Sequence, residues 1–195
     1  EDASFDILFR ETVLLRDCYP ALDGRALRVK RAGVTPEREL FYETTGGSLI
    51  LSIGYEEEGE WYLEARLEGF AQKIHHLSLV GGALCPGLRG FYQASGEMGH
   101  QCGWWDHERL PAGEAVKSAG LIGLSYGDGV LMAYAKRHDR FECAHYMTRS
   151  QQGLCLSSLL RLEGLSGKNE HLPRLYFQWY PSMEAGLDNT ARKIG

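Results

Sequence analysis

The tetrapeptide Tyr126-Gly127-Asp128-Gly129, set between Leu121, Ile122 and Leu124 on one side and Val130, Leu131 and Met132 on the other, constrains this chain more than any other segment. Glycine and aspartate accept the left-handed backbone conformations that a tight connection between antiparallel strands demands. The segment therefore predicts a hairpin and commits part of the fold to an antiparallel sheet. Directly after it, Lys136-Arg137-His138-Asp139-Arg140-Phe141 collects cationic groups and one carboxylate at a strand end. An exposed loop there would hold them against a polar ligand or another domain.

The same alternation of short apolar runs and turn residues continues along the chain. Phe5, Ile7 and Phe9 alternate with polar neighbours, which predicts a first strand with one buried face, extended through Val13 and Leu15. Further strands are predicted over 27–29, 40–42, 48–55 and 61–70, parted by Asp23-Gly24, Gly33 to Pro36, Gly46-Gly47 and Glu56-Glu57-Glu58-Gly59, and the last two strands pair as a hairpin. In residues 74–80 both faces are partly apolar, so this strand is expected inside the fold, with one of His75 and His76 buried and hydrogen-bonded. Residues 81–103 hold seven glycines, Pro86, two cysteines and a histidine with little periodicity. They read as a long ordered loop that ends in Trp104-Trp105-Asp106-His107-Glu108-Arg109. Two more strands are expected over 153–165 and 172–180, and residues 183–194 suit a short helix or a linker. With 24 glycines, 6 prolines and 44% hydrophobic residues in 195, the chain is expected to form an all-β, antiparallel β-sandwich of ten or more strands. Residues 1–182 would form the sandwich and 183–195 a tail or linker.

A net charge of -5 argues against a general nucleic-acid binder or an anionic-membrane binder, since both need a basic field. No stretch approaches the roughly 20 apolar residues of a membrane span. Cys18, Cys85, Cys102, Cys143 and Cys155 form no C-x-x-C pair and leave one cysteine over in any full disulfide scheme. A reducing, cytoplasmic setting without a leader is the expectation.

Four constellations carry chemistry. His75, His76, His100, Cys102 and His107 are zinc-ligand types, but their spacing matches no known structural zinc site, so no metal is expected. Cys102 or Ser95 with a histidine would supply a nucleophile, yet the chain has no G-x-S-x-G elbow. Asp106 with Glu108, or Asp139 with Glu142, would make an acid/base pair for glycoside cleavage; the plainer reading pairs Asp139 with Arg137 or Arg140. The aromatic residues are the most informative. Trp104 and Trp105, adjacent in a glycine-rich segment, cannot both be buried easily, and an exposed flat ring stacks well on the apolar face of a sugar.

Gly90-Phe91-Tyr92-Gln93-Ala94-Ser95, then Gly96-Glu97-Met98, Ala119-Gly120-Leu121 and His138-Asp139-Arg140-Phe141 follow one another in the order and approximate spacing of a known pattern. It resembles the N-terminal β-sandwich domain of the α-galactosidase (melibiase-like) glycoside hydrolases, over residues 40–180. There the corresponding motifs read N-G-[YWF]-Q-S-W-S, T-G-E, a G-L hairpin and S-H-D/E-R-F. The tryptophan expected shortly after Gln93 is missing, so Trp104 or Trp105 would have to replace it. The catalytic (β/α)₈ barrel of that family, with its aspartate nucleophile and acid/base, lies outside these 195 residues.

The resemblance implies a supersandwich-like, non-catalytic domain that needs no cofactor and meets a galactoside-type carbohydrate or a catalytic barrel, with no nucleic acid or membrane partner. Tyr92, Gln93, Trp104, Trp105 and Asp106 are the sugar-facing candidates, and His138, Asp139 and Arg140 would stabilise the loop or the barrel contact. A stand-alone carbohydrate-binding module, a small metal-dependent hydrolase built on the His/Cys cluster, and a structural or homo-oligomeric domain are the alternatives.

Overall fold

A computed structural model describes residues 3–57, 59–94, 102–136, 141–166, 170–171 and 174–194. Their strands form two antiparallel sheets around a common core, the β-sandwich expected from the turn spacing. The smaller sheet runs in the order β1 (Phe5–Phe9), β2 (Thr12–Leu22), β8 (Lys73–Leu84), β15 (Gly153–Ser166), β14 (Phe141–Ser150) and β11 (Ala115–Ala119), with β3 (Arg25–Ala26) paired to β2. The larger runs β10 (Gly103–Asp106), β9 (Gly90–Gln93), β12 (Leu121–Ser125), β13 (Val130–Tyr134), β17 (Leu175–Tyr180), β7 (Glu60–Glu68), β6 (Ser48–Glu57), β5 (Leu40–Thr44) and β4 (Val29–Val34), with β16 (Glu170–His171) on β7.

The central hairpin forms, but none of Gly127, Asp128 and Gly129 takes a positive φ; Gly129 instead makes room for Trp179, whose Cζ2 would stand 2.5 Å from a Cβ there. β12 and β13 pair from Leu121 opposite Tyr134 to Ser125 opposite Val130, and the Tyr126 amide donates to the Gly129 carbonyl at 2.9 Å. The 48–55 and 61–70 runs also pair, as β6 and β7. Because side chains alternate across a strand, the register fixes which residues meet inside. One inward row crosses five strands: Trp179, Leu131, Leu124, Phe91 and Trp105. From the other sheet Leu15, Leu77, Leu79, Leu156 and Leu160 meet it, all essentially sealed from solvent. Each such leucine is worth about 1.5–3 kcal/mol over an exposed one.

Three local features differ from the sequence reading. Val13 and Leu15 lie on a second strand, because Arg10 and Glu11 both take positive φ, 47° and 68°, and turn the chain so that Phe9 faces Thr12. Neither is a glycine or asparagine, so composition carries no sign of this turn. Residues 81–103 are not one long loop: β8 runs to Leu84, and β9 and the start of β10 occupy part of the rest. Gly81 accommodates close approach inside the sheet, since a Cβ on it would stand 2.6 Å from the Tyr19 carbonyl oxygen. Neither His75 nor His76 is buried; what anchors them is their backbone, whose two amides both donate to Asp23 Oδ1 at 2.9 Å.

Residues 183–194 form helix α1 (Met183–Ile194), seated on the outer face of the larger sheet. Ser182 caps it by accepting the Ala185 amide, with Glu184 in the first turn and Arg192 and Lys193 in the last, as the helix dipole favours. Met183 fills the space above Gly123, and Gly186 lets the helix settle on Met132 and Tyr180. Among the described residues no helix is long and apolar enough to cross a membrane.

A polar group sits within the smaller sheet. His145 is fully buried, with Nδ1 2.9 Å from Ser158 Oγ and Nε2 3.6 Å from Cys143 Sγ. Burial disfavours its charged form and lowers its pKa to about 4. The unfolded chain binds this proton near pH 6.5 and the folded one only near 4, so the contribution to stability is complete above pH 6.5 and is lost as pH falls toward 4. The loss amounts to roughly 3 kcal/mol. Urea unfolding at pH 7 and pH 4.5 is expected to show a smaller stability difference for His145→Gln than for the parent chain; equal differences would mean that His145 is not the group responsible.

Candidate functional site

Strands β9 and β10 pair so that Gly103, Trp104, Trp105 and Asp106 face Gln93, Tyr92, Phe91 and Gly90 in turn. Alternation then divides the five sugar-facing candidates between two faces. Gln93 and Trp105 share the inward face with Phe91; Tyr92, Trp104 and Asp106 share the outward face with Gly90.

The inward pair is structural. Gln93 is only 4% exposed, its carbonyl accepts Trp105 Nε1–H at 3.0 Å, and its amide donates to the Lys117 carbonyl at 2.8 Å. Trp105 lies parallel to Phe91, with ring centroids 6.0 Å apart. Buried and held at both ends inside the fold, Gln93 supports the site from below. The two tryptophans belong to a strand, and pleating is what separates them.

On the outward face Trp104 is 44% exposed and lies across Gly90. Its Nε1–H donates to Asp106 Oδ1 at 3.1 Å, and Asp106 Oδ2 is 3.5 Å from Arg109 Nε. Tyr92 flanks the ring from the paired position on β9. The result is a flat aromatic platform fixed at one edge by a carboxylate that keeps acceptor capacity for a hydroxyl.

The other candidates form no cluster among the described residues. Ser95, His100, Arg137, His138, Asp139 and Arg140 lie outside the described residues. Glu108 is exposed and 3.8 Å from His107, and Glu142 pairs with Arg161 at 3.4 Å. Among the described residues no three His, Cys, Asp or Glu side chains gather as metal ligands would. All five cysteines are free thiols, and burial pushes those of Cys18 and Cys143 up to about 12, far from the thiolate a nucleophile needs.

A polar network not foreseen from the sequence lies on the other flank of α1. Glu60 is wholly buried, accepts the Tyr134 hydroxyl, and stands 3.4 Å from Lys136 Nζ and 3.2 Å from Lys193 Nζ. Glu56 receives Lys136, the Tyr176 hydroxyl at 2.9 Å and Arg174 at 2.7 Å; the Lys136 hydrogen bond foremost holds its carboxyl below the usual range. Arg174 also reaches Glu64 at 2.6 Å and covers the Tyr62 ring. Glutamates within tyrosine-bearing strands were the available signal, but their pairing depends on strand order.

No protein-family model matches the chain, and no curated protein matches it.

Gly90 is the position on which the platform stands. A Cβ there would sit 2.3 Å from Trp104 Cζ2 and 2.6 Å from the Trp105 carbonyl oxygen. Gly90→Ala is expected to lift the ring, shift tryptophan emission and cost about 1–3 kcal/mol in urea unfolding. Unchanged emission and stability would show that the ring does not rest on Gly90.

Proposed function

We propose that this chain is a non-catalytic β-sandwich domain that recognises carbohydrate on the outer face of its larger sheet. Trp104 supplies the stacking surface, Tyr92 and Asp106 border it, and Gln93 and Trp105 hold the strand pair beneath. The observation that carries this reading is the exposed Trp104 ring, packed over Gly90 and tethered through Nε1 to Asp106. A pyranose presents one face of C–H groups to such a ring while its hydroxyls reach a neighbouring carboxylate. The resemblance to the α-galactosidase sandwich domain adds a galactoside-type ligand and a catalytic barrel as the domain's partner, with hydrolysis belonging to the barrel.

A stand-alone carbohydrate-binding module is the second reading. It is favoured by one feature: every group that orients Trp104, from Gly90 to Asp106, belongs to this chain.

Both readings are tested by titrating the chain with galactose, melibiose, raffinose and a β-glucan oligosaccharide while following tryptophan fluorescence. If the site is complete in this chain, saturable quenching by at least one galactoside is expected, with Trp104→Ala weakening it about tenfold. Binding unaffected by that substitution would remove Trp104 from the site. Galactoside quenching is the result for a module acting alone; no binding by any sugar favours a site that only the barrel completes. Release of nitrophenol from a nitrophenyl galactoside by the chain itself would overturn the non-catalytic assignment.

A further inference from the structure

The outer face of the smaller sheet carries a depression of about 540 Å³ that is unconnected with Trp104. That volume lies within the range of small-molecule sites, about 300–1,000 Å³. Its floor is one cross-strand row: Ala119 on β11, Ala144 on β14 and Leu159 on β15. The rows on either side carry larger groups. Tyr146 lies beside Lys117 at one end; at the other, Glu142, Arg161 and His76 follow one another across β14, β15 and β8. Four residue steps along β14, from Glu142 to Tyr146, separate the ends, about 13 Å at the rise of an extended strand. The trough exists because two alanines stand between rows of long side chains.

Its composition is selective. The floor is apolar, Tyr146 supplies a ring at one end, and cationic side chains from two strands, Lys117 and Arg161, line the trough together with His76. Only Glu142 opposes them among the described lining residues, in a chain whose net charge is -5. Arg161 meets Glu142 at 3.4 Å with side chains 68% and 78% exposed, an arrangement that adds little to stability and leaves the guanidinium donors available to a ligand. We propose that this trough is a second ligand site, for a small ring-bearing carboxylate such as a uronic acid. The ring lies on Ala119, Ala144 and Leu159 against Tyr146, and the carboxylate meets Arg161. This site does not depend on the carbohydrate platform at Trp104.

The test is a ¹H–¹⁵N NMR titration of the whole chain with galacturonate, galactose and inorganic phosphate. Galacturonate is expected to saturate, to shift the amides of Ala119, Ala144 and Leu159, and to bind about tenfold more tightly than galactose, as a charge-assisted hydrogen bond predicts. Arg161→Gln should weaken it about fivefold or more, while Trp104→Ala leaves these shifts unchanged. The proposal is overturned if those three amides do not respond, if galactose binds them equally well, or if Trp104→Ala abolishes the response. Phosphate binding as tightly as galacturonate would reduce the trough to a bare anion contact and overturn the ring assignment. The wild-type shifts decide the matter even if a variant fails to fold.

Discussion

The buried amide of Gln93 is the junction on which the arrangement of this molecule turns. It belongs to the larger sheet, yet donates to the Lys117 carbonyl in the smaller one and accepts from Trp105. The next residue repeats the crossing: the Ala94 amide donates to Ser118 Oγ at 2.8 Å, and the Ser118 hydroxyl donates to the Leu121 carbonyl at 2.5 Å. A buried amide left without partners would cost about 1–3 kcal/mol, so the two sheets are stitched here by necessity. Once Gln93 points inward, pleating sends Tyr92 outward, and the β9–β10 register carries Trp104 and Asp106 out with it. The exposed platform is thus a consequence of an interior hydrogen bond.

The outer face of the larger sheet is shaped by a second constraint, the need to satisfy Glu60. A carboxylate removed from water has to be met by cations and donors, and Tyr134, Lys136 and Lys193 meet it. Lys193 lies in the last turn of α1, so the same ion pair ties the helix end to the sheet. Met183 and Gly186 secure the other part of the helix against Gly123 and Met132. The helix therefore covers Val130, Met132 and Tyr180 and leaves the β9–β10 flank, where Trp104 is exposed. What looked from its polarity like a tail or linker is part of the architecture that bounds the platform.

Much of the strand pattern was legible because period-2 alternation and turn residues are local properties. The central hairpin, the β6–β7 hairpin and β15 all followed from them. The failures occurred where local cues were ambiguous. Arg10 and Glu11 turn the chain without turn residues, and Gly81 and Gly90 make room for close approaches within strands where the run of glycines suggested a loop. The proximity of the candidate residues was legible, but not their division between faces. Adjacency grouped Trp104 with Trp105 and Tyr92 with Gln93, and only a strand assignment reveals that neighbours in each pair face opposite ways.

By itself the amino-acid sequence determined that this chain folds as an antiparallel all-β protein, and that aromatic and polar groups concentrate near residues 90–106. Those facts rest on spacing over a few residues, which the pleat converts directly into faces. Tertiary structure alone decided which tryptophan is exposed, which glutamate is buried, and that Lys117, Tyr146 and Arg161 border one trough. These relations join strands far apart in the chain through cross-strand register, and register is settled by the packing of the whole sandwich rather than by any segment within it.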